Sequence, residues 1–152
     1  MIDPSNRETI GTLMIVEDEV FVAMTLRDEL EDAGYKVLDL TDRHAEALDV
    51  AGADKPDLAL VNIQLAGGDD GIELAKQLKP LGIPVLLISG QVSRARSAHT
   101  VAVGSMPKPY SAADMVLAVS YVLARLRGDV LPPKPHQLEE FDEQGFDLAP
   151  AD

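Results

Sequence analysis

Glu17, Asp18, Asn62, Ser89 and Lys108 are the residues of this chain whose types could do chemistry together. Adjacent carboxylates such as Glu17-Asp18 suit a hard divalent cation, Mg2+ above all, which takes oxygen ligands and keeps several waters. A hydroxyl and an ammonium, Ser89 and Lys108, could hold a tetrahedral anion, the first by donating a hydrogen bond and the second as a compact positive charge. A cation site beside an anion site points to phosphoryl transfer. Taken singly, each residue has a plainer explanation. Glu17-Asp18-Glu19 could be the negative first turn of a helix, Ser89 a turn residue, Lys108 a loop lysine and Asn62 a satisfied polar group at a strand end. What sets them apart is their placement, each closely following an apolar run.

Those runs define the elements that must position the five residues. Leu13-Met14-Ile15-Val16 is continuously apolar, as expected for a strand buried on both faces of a parallel sheet. From Val20 to Ala33 apolar residues recur at helical spacing, and Gly34 closes the segment. The alternation continues with a strand over 35–40, a helix over 43–51 ended by Gly52, a strand over 58–61 and a helix over 72–78 with Pro80 and Gly82 as breakers. A strand over 84–88, a weak helix over 93–100, a short strand over 103–106 and a long helix over 112–127 complete the pattern. Ser111 with Asp114 resembles a capping box at the start of that last helix. Five strand-then-helix repeats predict an α/β fold, a parallel sheet covered by helices on both faces. In such sheets ligands bind beyond the carboxyl ends of the strands, where the five residues lie.

With 152 residues, 46% of them hydrophobic, the chain can bury one core and is too short for two ordinary domains. The expected organisation is a leader over 1–11, a folded domain over 12–127 and an acidic tail over 128–152. That tail carries seven acids against Lys134 alone, with Pro132, Pro133, Pro135 and Pro150, and reads as extended and flexible. Within it Leu138-Glu139-Glu140-Phe141 and Gly145-Phe146-Asp147-Leu148 set apolar anchors among acids that could dock as short peptides. A net charge of -13 disfavours nucleic acid and anionic lipid as partners. The lack of cysteine excludes disulfides and thiolate metal sites. Neither a signal pattern nor an apolar stretch of about 20 residues is present, so the expectation is a cytoplasmic protein without a membrane span. His44, His99 and His136 lack metal-ligand spacing.

The chain resembles the receiver domain of two-component response regulators over roughly Thr12 to Arg127. The resemblance rests on Leu13-Met14-Ile15-Val16-Glu17-Asp18-Glu19, Pro56 to Leu65, Gly71-Ile72-Glu73-Leu74, Pro84 to Gly90 and Lys108-Pro109-Tyr110, in that order. It implies a flavodoxin-like (CheY-like) five-stranded fold in which an Asp takes a phosphoryl group from a phosphohistidine of a partner, with Mg2+ bound. Carried over residue by residue, Glu17 and Asp18 fall on the metal-binding acidic pair, Ser89 on the Ser/Thr that follows the phosphate and Lys108 on the lysine. Gln64 would offer its backbone carbonyl to the metal, and Asn62 falls on the phosphoacceptor. The implied partner is a histidine kinase or a histidine phosphotransfer protein. Homodimerisation is expected through the face around 93–100, Ser105 and the final helix.

Asn62 is the main departure from the family pattern. An amide is neutral and its nitrogen lone pair is delocalised, so it cannot form the acyl phosphate that a carboxylate forms. Mg2+ binding should be weakened, with the amide oxygen of Asn62 still available as a ligand. The asparagine fits a natural pseudo-receiver and an Asp→Asn exchange equally well. The loop from Asn62 to Gly71 is one residue longer than in common receivers, and Ser105 stands where many carry a switching Tyr or Phe. The expectation is a single-domain signalling protein acting through contacts, not an enzyme, since the sequence after Arg127 is too short and acidic for a helix-turn-helix. Two rivals stay open: a Mg2+-dependent phosphatase or phosphotransferase with Asp18 as nucleophile, and an adaptor working through its acidic tail.

Overall fold

The computed structural model of the chain describes residues 9–141. Expectations placed on 1–8 and 142–152, the anchor Gly145-Phe146-Asp147-Leu148 among them, lie outside the described residues. In chain order the elements are β1 (Thr12–Val16), α1 (Val20–Asp32), β2 (Lys36–Val37), α2 (His44–Ala53), β3 (Leu58–Asn62), α3 (Gly71–Leu78), β4 (Val85–Ser89), α4 (Val92–Arg96), β5 (Gly104–Pro107), α5 (Ala112–Arg127) and β6 (Glu139–Glu140). The sheet runs β2-β1-β3-β4-β5-β6. Neighbours from β2 to β5 are parallel, and β6 pairs antiparallel with β5.

The period-2 geometry of a strand decides what packs where. Leu13, Ile15, Leu58, Leu60, Leu86 and Ile88 point into a core shared with α1 and α5. Met14, Val16, Ala59, Val61, Val85 and Leu87 point into the opposite core, which Ala47, Ala51, Leu74, Leu78 and Ala95 of α2, α3 and α4 complete. β3 and β4 are therefore buried at every position, which is why their sequences are apolar up to the terminal Asn62 and Ser89. Asp70 caps α3 by accepting from the Ile72 N–H at 2.8 Å, and Ser111 caps α5 by accepting from the Asp114 N–H at 3.0 Å.

Two elements are shorter than their sequences suggest: β2 is reduced to Lys36–Val37 at the sheet edge, and the helix expected over 93–100 is the single α4 turn pair Val92–Arg96. The acidic tail needs a correction up to residue 141. Instead of running free after α5, the chain returns to the sheet edge, adds β6 and buries Leu138 and Phe141. Its acids do not prevent this because Glu139 meets Arg96 and Glu140 meets Lys134.

A close backbone approach sits under the strand end that carries Asn62. Gly71 N–H donates to the Ile63 carbonyl at 2.7 Å, and a Cβ on Gly71 would run into the Asn62 backbone carbonyl. Backbone cannot move aside as a flexible side chain could. Gly71→Ala should therefore lower the unfolding free energy by about 3 kcal/mol, read by urea denaturation; unchanged stability would show that the approach is not this close.

Candidate functional site

Polar side chains first become available where the strands leave the core, and β1 and β3 end side by side. Val16 pairs with Val61, so Glu17 after β1 lies level with Asn62 at the end of β3. Glu17 is held by its own N–H donating to the Thr41 carbonyl at 2.9 Å, and its side chain is only 2% exposed. Asn62 is buried as well. Its amide nitrogen Nδ2 donates to Glu17 Oε2 at 3.1 Å, to Asp18 Oδ1 at 3.2 Å and to the Gln64 backbone carbonyl at 2.7 Å. Two N–H hydrogens thus serve three oxygens. This fixes the amide orientation, because the opposite one would set Oδ1 against the same three acceptors.

The site's charge is held by one cation. Lys108 Nζ lies 3.5 Å from Glu17 Oε1, an oxygen with no hydrogen-bond partner of its own. Burial, foremost, and the neighbouring Asp18 carboxyl push Glu17 above the usual carboxylate range, while the Glu19 N–H and Lys108 pull the other way. Tyr110, two residues on from Lys108, has a buried hydroxyl without a partner. Burial, together with Glu17 and Glu19, pushes its phenol up to about 12. In the sequence it stands only as the last residue of Lys108-Pro109-Tyr110.

Ser89 ends β4 opposite Pro107, and its carbonyl accepts from the Lys108 N–H at 2.9 Å. Its hydroxyl accepts from the Gln91 N–H at 2.8 Å, leaving the hydroxyl proton only a 3.4 Å contact with the Gln91 carbonyl. That proton is therefore free to turn to another acceptor. The fold thus brings Glu17, Asp18, Asn62, the Gln64 carbonyl and Lys108 together, with Ser89 one strand away. Ser105 is not part of this group. It is buried in β5 between Leu87 and Glu139, on a cavity that it shares with Ser89.

Three oxygens converging on one point, two of them anionic, suit a hard cation. Among the described residues no group of three or more His, Cys, Asp or Glu could hold a metal, because only two of these oxygens belong to carboxylates. Glu17, Asp18 and the Gln64 carbonyl fit Mg2+ by donor type, and Asn62 would join them by turning Oδ1 inward. As folded, the amide N–H2 stands where the cation's charge would otherwise be needed.

Sequence relatives and solved structures agree with this architecture. Residues 13–120 match the response regulator receiver domain family. Transcriptional regulatory protein PdtaR of Mycobacterium tuberculosis H37Rv is 29% identical over 121 residues, 76% of this chain and 58% of that protein. Phyllosphere-induced regulator PhyR of Methylorubrum extorquens is 28% identical over 130 residues, 81% of this chain and 49% of that protein. The chain spans about half the length of the curated relatives it matches. The response regulator PhyR from Brucella abortus superposes with a TM-score of 0.63 at 32% identity, over 72% of this chain and 46% of that one. The signal receiver domain of a modulated diguanylate cyclase from Desulfovibrio desulfuricans G20 does so with a TM-score of 0.61 at 39% identity, over 68% and 85%. With the family match covering most of the chain and the sheet in CheY-like order, this protein belongs to the response regulator receiver domains of two-component systems.

Proposed function

We propose that this receiver acts in a phosphorelay by protein contacts alone, with Asn62 at the position where a phosphorylatable receiver carries its aspartate. The observation that carries the reading is the Asn62 amide nitrogen donating to Glu17, Asp18 and the Gln64 carbonyl. An aspartate there would attack phosphorus through a carboxylate oxygen as the phosphorus–nitrogen bond of a phosphohistidine breaks. The amide has no such oxygen to offer, since its charge is zero and its nitrogen lone pair is tied up in resonance. Mg2+, when bound, supplies charge neutralisation for the phosphoryl oxygens. The chain's own contribution to holding that group is the Lys108 ammonium and the free proton of Ser89.

A partner bearing the phosphohistidine, a histidine kinase or a phosphotransfer protein, would approach from the side of α1. There Phe21 is 84% and Val20 61% exposed, beside a cavity of 670 Å3 that Lys108, Pro109 and Tyr110 help to line. Exposed apolar side chains next to a functional lysine fit a surface that a partner covers. Binding and phosphorylation separate in this reading: the surface is complete and the nucleophile is missing.

Two outcomes are expected. Incubated with Mg2+ and a small phosphodonor such as acetyl phosphate, the present chain should show no phosphoryl mass gain and its Asn62→Asp variant should show one; a stable, acid-resistant gain on the peptide holding Asn62 would overturn the assignment. Asn62→Asp also removes the donors that hold three oxygens and adds a third carboxylate. Hydrogen bonds to charged groups are worth about 2 kcal/mol, so the metal-free variant should be less stable by about that amount. Mg2+ should raise the variant's melting temperature more than that of the present chain, and equal Mg2+ responses by thermal denaturation would count against the reading.

A further inference from the structure

Two side-chain atoms of the site are buried without a hydrogen-bond partner, one an acceptor and one able to donate: Glu17 Oε1 and the Tyr110 hydroxyl. Both lie on the side of the sheet that α1 and α5 cover. Leu13 and Ile15 of β1 point that way, Glu17 continues their row two residues on, and the Tyr110 ring packs against the same cluster. Burial, Glu17 and Glu19 push the Tyr110 phenol up to about 12, so it keeps its proton at neutral pH and stays a donor. A buried donor without an acceptor lowers stability, so the hydroxyl is a burden on the resting chain.

What Oε1 has instead is the Lys108 ammonium at 3.5 Å, an ion pair without a hydrogen bond. The two partners differ in freedom. The Lys108 side chain is 31% exposed and can swing, whereas that of Glu17 is 2% exposed on a backbone tied to the Thr41 carbonyl. When the ammonium turns to the oxygens of a phosphoryl group, Glu17 keeps Oε2 on the Asn62 amide and loses the cation facing Oε1. A buried carboxylate stripped of its cation is strongly destabilising. Tyr110 lines a cavity of 670 Å3 with Phe21, Lys108 and Pro109, so its ring has space to turn that a close-packed core side chain lacks.

We propose that Tyr110 is a positioning residue of this site: its hydroxyl donates to Glu17 Oε1 when Lys108 moves to a phosphoryl group, which releases the lysine without stranding a buried carboxylate. The exchange rests on the reading of Lys108 as the group that holds phosphoryl oxygens. An O–H donating to a carboxylate makes a short, strong hydrogen bond, and it suits an oxygen that cannot reach water.

The test begins on the full-length chain with Asn62 in place, as a double-mutant cycle read by thermal denaturation at pH 8, above the carboxylate range. With Lys108 present, Tyr110→Phe keeps the ring and removes a hydroxyl that has no partner, so the melting temperature should rise by about 2 °C. In Lys108→Met the ammonium is gone from Oε1 and the hydroxyl takes its place, so Tyr110→Phe should lower the melting temperature by about 5 °C. Thr41→Val removes another buried hydroxyl without a partner and should act alike in both backgrounds. Effects of Tyr110→Phe with the same sign in the two backgrounds, or an inversion that comes with Thr41→Val instead, would overturn the proposal. A second arm uses the full-length Asn62→Asp variant with Mg2+ and saturating acetyl phosphate, where adding Tyr110→Phe should slow phosphoryl uptake about tenfold; an unchanged rate would overturn it too. Failure of Asn62→Asp itself to take phosphate would count against the reading of the pocket, while the stability cycle still decides the role of Tyr110.

Discussion

Two carboxylates and a carbonyl face one another where β1 and β3 leave the core, and the fold holds them there with hydrogen-bond donors and one ammonium set against them. Glu17 cannot escape to water, because its backbone is tied to Thr41 and its side chain lies almost wholly inside. Lys108 serves one of its oxygens from 3.5 Å. The Asn62 amide serves the other, together with Asp18 and Gln64. A third carboxylate in place of that amide would leave only Lys108 against three negative groups, a balance that a receiver ordinarily settles with a divalent ion. Asparagine lets this pocket close on itself.

The same constraint explains why so much of the site is legible in the sequence. Strands buried on both faces favour apolar side chains, so Glu17, Asn62, Ser89 and Lys108 fall at or just past strand ends, and the end of an apolar run is visible without a structure. What the sequence does not carry is the direction of each polar atom. Nothing in the string says that the Asn62 amide aims its nitrogen at three acceptors, that the Ser89 hydroxyl is turned to Gln91, or that Tyr110 lies against Glu17 and Glu19. Such details depend on neighbours distant in the chain. Gly71 is similar: its role as the seat of a close approach follows from the Asn62 carbonyl above it.

The packing of residues 138–141 departs from what composition suggests for a related reason. Prolines and acids over 128–152 describe a segment that cannot build a core of its own, and composition alone then predicts an extended, flexible chain. It does not register that a finished sheet edge stands nearby with Arg96 on one side and Tyr121 on the other. Four residues of alternation, Leu138 to Phe141, are too few to announce a strand, but they suffice once β5 supplies the partner. The short β2 and α4 are the reverse case: against an expected strand over 35–40 and helix over 93–100, the elements span only Lys36–Val37 and Val92–Arg96.

Magnitudes decide how firmly that returning segment is held. Burying Leu138 and Phe141 stabilises it by about 2 kcal/mol each, and the partly exposed pairs Arg96–Glu139 and Lys134–Glu140 add at most about 1 kcal/mol apiece. Ordering the eight residues from 134 to 141 costs about 8 kcal/mol of backbone freedom. Pro135 reduces that cost, because its φ is already fixed in the unfolded chain. The two sides nearly cancel, unlike the central strands, where every side chain is buried and nothing is left to displace. The apolar anchors therefore set whether the segment stays down, and the charges set which sequence fits. The Asn62 pocket stands on firmer ground, since the strands that enclose it are buried at every position.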